Sequence, residues 1–344
     1  MIPVSTPRRV PHVAVLFGPT AVGKSELLSR LFESGLSSGF ELISADSMQV
    51  YRHMDIGTAK PSAEEQARFA HHLLDIADPS EQFNAGRFVK EAERIIPAIA
   101  ARGRLPLVAG GTAFYVTNLV HGLPDAPPVD IAIRERLRAQ ERDEGRAALY
   151  LLLQQRDPLA ASRIPSNDRY RIMRALEVVL ATGRSVYSFP WPRTPRADMR
   201  FLLLGLDRPR EELYRRIHDR VSSMFRAGLV REVASLLDRG YGPGDPGLKG
   251  IGYRELLQMR GTCETLADVR DRISQSTRRY AKRQLTFFRS VPGVTWLAPQ
   301  DASAVRERLE RFVQDSRAGS AAVLEPGDGS EQASQEAGGC GESP

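Results

Sequence analysis

The feature that most restricts this fold is the run Gly18-Pro19-Thr20-Ala21-Val22-Gly23-Lys24-Ser25, directly after the apolar run Val13–Phe17. Its spacing, G-x-x-x-x-G-K-[ST], acquires physical meaning when a strand feeds it and a helix leaves it. The glycines let backbone N–H groups turn inward around an anion, and the start of the following helix adds positive potential. Lys24 reaches the terminal phosphates, and the Ser25 hydroxyl can hold Mg²⁺. Leu27, Leu28, Leu31 and Phe32 recur at helical spacing behind the loop. These residues imply a bound phosphorylated small molecule, without saying which one or whether a phosphoryl group moves.

The same alternation continues along the chain. Further strands are expected at Glu41–Ser44, Leu105–Val108 and Phe201–Leu206. Strands alternating with helices indicate an α/β fold, a parallel sheet flanked by helices. That core is expected over 11–124 and 201–316. The segment Pro124-Asp-Ala-Pro-Pro-Val breaks the pattern, and 125–200 reads as a helical insertion domain, with Asp168 at the cap of its last long helix. Arg210–Arg239 reads as one or two amphipathic helices, and Arg270–Arg289 as a strongly basic one. Residues 317–344 are rich in Gly, Ser, Glu and Ala, lack aromatic residues, and are expected to be disordered.

The chain has 344 residues and a formal net charge of +6, a mild argument for a polyanionic partner. Its two cysteines, Cys263 and Cys340, make neither a disulfide framework nor a metal spacing. With no apolar leader and no run long enough to span a bilayer, the expectation is a cytoplasmic protein, without membrane contact and adequate as a monomer.

Three further groups carry chemistry. Asp46 follows the second strand, at the edge where parallel sheets bind ligands. It is a candidate general base or Mg²⁺ partner, with a helix cap as the equal alternative. Thr112 follows the glycine turn Gly110-Gly111 and can donate to a bridging or leaving oxygen, or cap the next helix. In Asp55-Ile-Gly-Thr58-Ala-Lys60, Thr58 and Lys60 are candidates to bind further phosphate oxygens, Lys60 as an extra cation, with an exposed turn as at least an equal alternative. His71 and His72 read as packing or surface residues, since adjacent histidines diverge and lack a third ligand. From Arg272 to Arg289 there is no acidic residue. Such a stripe suits a nucleic-acid backbone. A small-molecule kinase binding ATP would leave that stripe without a task, and a nucleotide-switched RNA-binding module would want the N-K-x-D sequence that is absent.

Taken in order, Gly18–Ser25, Ser44–Tyr51, Met54–Pro61, Gly110–Thr112, Asn167-Asp168 with Arg174–Glu177, Gly252–Arg254 and Ala281–Arg289 resemble the bacterial tRNA dimethylallyltransferases, also called tRNA isopentenyltransferases. The resemblance spans about Val13 to Leu297. It implies transfer of a dimethylallyl group from dimethylallyl diphosphate to N6 of the adenosine 3′ of the anticodon, with Mg²⁺ assisting and diphosphate leaving. It implies Gly18, Pro19, Thr20, Ala21, Val22, Gly23, Lys24 and Ser25 as the diphosphate cradle, Asp46 as the base, and Thr112 near the bridging oxygen. It also implies tRNA contacts from Asp46, Ser47, Met48, Gln49, Thr112 and Arg134. A second group is Tyr170, Arg171, Ile172, Met173 and Arg174, and a third is Lys249, Gly250, Ile251, Gly252, Tyr253 and Arg254. The last is Lys282, Arg283, Gln284, Leu285, Thr286, Phe287, Phe288 and Arg289. The chain departs from the usual family pattern at Val22, Ala113, Tyr170 and Phe287, where Ser, Gly, Gln and Trp are more common.

Overall fold

The computed structural model describes residues 10–36, 39–128 and 130–321. The first strand, β1 (His12–Phe17), is buried along five of its six residues. Such a continuous apolar run belongs to a strand covered on both faces. α1 (Lys24–Glu33) follows the glycine loop, then β2 (Phe40–Ser44), α2 (Ala63–Arg68), β3 (His71–His72), α3 (Ala85–Ala101), β4 (Leu105–Gly110) and α4 (Ala113–His121). After the α-helices of residues 131–182, β5 (Arg200–Leu206) returns the chain to the sheet. The sheet has six strands in the order β3-β2-β4-β1-β5-β6, where β6 is Thr295–Leu297, and every neighbouring pair is parallel.

Register decides where the chemistry sits. Phe17, the last residue of β1, lies opposite Gly110 of β4 and Gly205 of β5, and Ser44 of β2 lies opposite Ala109. The turns after β1, β2 and β4 therefore leave the sheet at one edge. They carry Gly18–Ser25, Asp46 and Thr112, at the carboxyl ends where parallel sheets offer a crevice.

The inserted residues form α5 (Ile131–Glu144), α6 (Arg146–Arg156), α7 (Pro158–Arg163) and α8 (Arg169–Thr182). The charged stretch from Ile131 is two helices, because Gly145 turns the chain at φ +84°. Asp168 caps α8 by accepting from Arg171 N at 3.0 Å. Leu137, Leu149, Leu153, Ile172 and Leu176 belong to a cluster separate from the one around the sheet.

The rest of the chain gives α9 (Arg210–Ala227), α10 (Leu229–Asp238), α11 (Tyr253–Met259), α12 (Leu266–Phe288) and α13 (Ala302–Ala321). Phe288 of α12 is fully buried and stacks on Phe17 of β1 with centroids 4.6 Å apart. That contact brings the basic helix to the crevice edge. α13 runs four residues past the expected start of the tail at 317; residues 322–344 lie outside the described residues. Among the described residues no helix is long and apolar enough to cross a membrane.

Candidate functional site

The glycine loop is shaped by two positive φ values, 63° at Ala21 and 111° at Gly23. A curl of this kind presents successive amides to one concave side. α1 starts on the next residue, Lys24, so its free N–H groups and dipole face the same side. Lys24 lies back across the loop, where its Nζ donates to Gly18 O at 2.8 Å and Pro19 O at 2.9 Å. Across the crevice, Gly110 approaches Ala45 so closely that a Cβ would stand 2.2 Å from the Ala45 carbonyl oxygen. Only glycine permits β4 to end there. Gln284 of α12 clasps both turns, accepting from Thr20 N at 2.9 Å through Oε1 and donating to Gly111 O at 2.5 Å through Nε2.

Asp46 caps no helix; it holds a turn at the cleft. Its Oδ1 accepts from Met48 N at 2.9 Å and Gln49 N at 3.3 Å, which fixes the turn, and the residue lines the cleft. Thr112 does not cap α4 with its side chain. Its Oγ1 instead accepts from Ser47 N at 2.9 Å, tying the third turn to the Asp46 loop. The Tyr280 hydroxyl of α12 lies beside Thr112 and Gln284; burial, with the Asp46 carboxylate adding to it, pushes it up to about 12 against the opposing effect of those two neighbours.

These groups border a cleft of about 750 Å³, walled also by α9, α12 and the Lys249–Gly252 turn. A recess of about 80 Å³ lies beside it, lined by Leu28, Ile43, Phe69 and Ala109 together with Lys24, Ser25 and Asp46. Arg220 of α9 is the site residue that sequence reasoning missed. It lines the cleft close enough to Lys24 and Asp46 for all three charges to act on one another. Burial, then the Arg220 charge, pull the Lys24 ammonium down to about 7, against the opposing pull of Asp46. Burial lowers Arg220 as well, with Asp46 opposing. Five cationic side chains line the cleft, Lys24, Arg216, Arg220, Lys249 and Arg283, against the acidic Glu26, Asp46 and Asp219. The pocket is short of negative charge, which a bound polyanion would supply.

No group of three or more His, Cys, Asp or Glu side chains among the described residues could cage a metal. Mg²⁺ suits a different arrangement, in which few protein oxygens join phosphate oxygens and water. The Ser25 hydroxyl at the mouth of the loop, with Asp46 on the same cleft, fits that donor set.

Other expected residues are placed as follows. Lys60 is not a cleft cation: its Nζ is bound by Asp55 and Asp75 at 2.6 Å each and by Tyr51 O at 2.9 Å. The Asp55–Gly57 loop is held by Glu232 of α10, whose carboxylate accepts from the N–H groups of Asp55, Ile56 and Gly57 at 2.9, 2.7 and 3.0 Å. The buried Tyr253 hydroxyl donates to the same carboxylate at 2.6 Å, so that side chain is internal. His72 meets Glu41 at 2.7 Å, and His71 meets Phe69 O at 2.9 Å.

Ser47, Met48, Gln49, Lys249, Gly250, Ile251, Gly252, Arg283 and Gln284 all line the cleft. Lys282, Thr286 and Phe287 are exposed on α12 and Arg289 just past its end, whereas Leu285 is half-buried and Phe288 is core. Arg254 pairs with the buried Glu255 at 2.6 Å. In the inserted block, Tyr170 is exposed while Ile172 and Met173 are buried in the second core. Arg134 is committed to the buried Glu177 at 2.5 and 3.0 Å, Arg171 to Asp168 at 2.5 Å, and Arg174 to Pro127 O at 2.8 Å.

Many known proteins resemble this chain in sequence. The profile of the IPP transferase family matches residues 49–291. A tRNA dimethylallyltransferase of Geobacter sulfurreducens is 46% identical over 293 residues, covering 83% of this chain and 91% of that protein. One from Thermomicrobium roseum is 42% identical over 330 residues, covering 94% and 98%. Among solved structures, the tRNA isopentenylpyrophosphate transferase of Bacillus halodurans superposes with a TM-score of 0.64 at 36% identity, over 90% of this chain and 99% of that one. A eukaryotic dimethylallyltransferase acting on tRNA gives 0.70 at 26% identity, over 91% and 80%. The glycine cradle, the Asp46 turn and the clasp of the basic helix thus sit in a chain that belongs to the IPP transferase family.

Proposed function

We propose that this chain transfers a dimethylallyl group from dimethylallyl diphosphate to N6 of the adenosine 3′ of the anticodon in tRNA. The observation that carries this reading is the meeting of Lys24, Arg220 and Asp46 in one cleft: two half-buried cations short of an anion, beside one carboxylate. A departing diphosphate supplies the missing charge. The amine of adenine is a weak nucleophile because its lone pair is delocalised into the ring, so attack requires a base. As the N6–C1 bond forms and the C1–O bond breaks, Asp46 takes the N6 proton and the diphosphate leaves with the electron pair. Lys24, Arg220 and the loop amides stabilise the charge growing on the leaving group. Thr112, whose oxygen already accepts from Ser47 N, keeps its own proton to donate toward the bridging oxygen.

Leu28, Leu42, Ile43, Phe69 and Ala109 give the recess, otherwise lined by polar groups, an apolar side that suits the five-carbon chain. Mg²⁺, held by Ser25 and phosphate oxygens, would neutralise charge on the diphosphate. The adenine must leave its stack to enter the cleft, at about a few kcal/mol, and the basic α12 offsets this by gripping the backbone. We place this activity in the cytoplasm and assign it to a single chain.

Incubation with dimethylallyl diphosphate, Mg²⁺ and bulk tRNA, followed by mass spectrometry of the nucleosides, should yield N6-prenylated adenosine. Asp46→Ala should abolish that product while tRNA affinity stays within about twofold; unchanged turnover would refute the base assignment.

A further inference from the structure

Among the described residues five aromatic side chains are exposed large apolar ones; Tyr187 and Trp191 lie on the chain that joins the inserted helices back to the sheet, and Phe114 lies at the start of α4. Phe114 is 44% exposed and Trp191 49%, yet their rings touch in a T-shaped pair with centroids 5.2 Å apart. Arg163 lies over the ring of Tyr187 at 4.9 Å, and Arg184 over that of Phe189 at 4.7 Å. Between Glu177 and Asp198 the chain has three arginines, Arg184, Arg193 and Arg196, and no acidic residue. Pro190, Pro192 and Pro195 restrict the backbone there, which lowers the entropy lost on binding. The segment is also anchored: Arg196 N donates to Val120 O at 2.9 Å, and its guanidinium pairs with Glu93 and Asp198.

We propose that this strip is a stacking platform for unpaired nucleotides of the RNA substrate. Planar faces backed by guanidinium groups suit bases joined by phosphates; an aliphatic patch would suit a protein partner better. Position favours the same occupant. Phe114 lies in the first turn of α4, two residues after Thr112, so a base on the Phe114–Trp191 pair sits about one helical turn from the cleft edge. Nucleotides flanking an extruded adenine would be unpaired at that distance. The proposal rests on the tRNA-modifying reading and adds to it the surface that receives the bases that are not modified.

Trp191 reports on its own occupancy. The other tryptophan, Trp296, packs edge-on against Phe17 in the core, and Trp296→Phe removes its emission. In that background, an anticodon stem-loop RNA should quench Trp191, and a fully paired hairpin stem of equal length should not. Trp191→Ala should bind the stem-loop about fivefold more weakly or worse, and Trp191→Phe should keep most of the affinity. Stacking releases no counterions, so Trp191→Ala should leave the salt slope of binding unchanged, whereas Arg184→Ala should make it shallower. Unquenched Trp191 with unchanged affinity in Trp191→Ala would overturn the platform. So would a loss that Trp191→Phe does not rescue. Failure of the transfer reading shows up separately, as unmodified adenosine in the nucleoside assay with the unaltered chain.

Discussion

Lys24 has an unusual position for a lysine: half-buried in the cleft wall, next to Arg220, and hydrogen-bonded to two carbonyls of its own loop. An ammonium in that setting holds its proton weakly, down to about 7 against about 10.4 for a solvated lysine. A diphosphate beside it reverses the balance, since an opposite charge favours the protonated form. Binding of a non-reacting dimethylallyl diphosphate analogue should therefore draw up to about one proton from solution at pH 8. At pH 6, where Lys24 is already charged, the uptake should fall. Titration calorimetry in buffers of different ionisation enthalpy reads the difference, and equal proton counts at both pH values would contradict the assignment. The loop was legible in sequence because its glycine spacing is local. Arg220 was not: it is one of five arginines on α9, and only the packing of that helix over the cleft separates it from the others. Lys60 misled for the converse reason, since its partners Asp55 and Asp75 are brought to it by the fold of the loop.

At the scale of elements, α12 does two jobs that its sequence merges. The basic stripe is visible as a run without acids, and Lys282, Arg283 and Arg289 are indeed exposed. Gln284 sits in the middle of that stripe but points inward, joining the glycine loop to the Gly110–Thr112 turn. No periodicity announces this, because a glutamine on a polar helix reads as surface. Gln284→Ala leaves Thr20 N and Gly111 O without partners in a closed site. It should lower stability by about 1–3 kcal/mol in urea unfolding, and an exposed control such as Lys282→Ala should change little. Strands β1, β2, β4 and β5 were legible from their apolar runs. β3 and β6, two and three residues long, are too short to carry a pattern.

Across the whole molecule, Glu41 binds distant parts of the sheet layer together. Its buried carboxylate on β2 accepts from Arg102, just past α3, at 2.8 and 2.6 Å, and meets His72 of β3 at 2.7 Å. The Arg102 hydrogen bonds hold the carboxyl down to about 2, against the opposing effect of burial, with His72 helping. A depressed carboxylate stabilises the fold above its open-chain value of about 4.3, and that contribution is lost as pH falls toward 2. Glu41→Gln should cost about 2 kcal/mol at pH 7, and the gap from the unaltered chain should narrow at pH 3 in urea melts. A gap that stayed constant would assign the loss to shape instead of charge. The brevity of the two marginal strands, β3 and β6, has its own result. A sheet invites a second chain along whatever row of unpaired amides its border displays. Here that row is a few residues at either side, so crowded molecules find almost no template on which to zip together into aggregates.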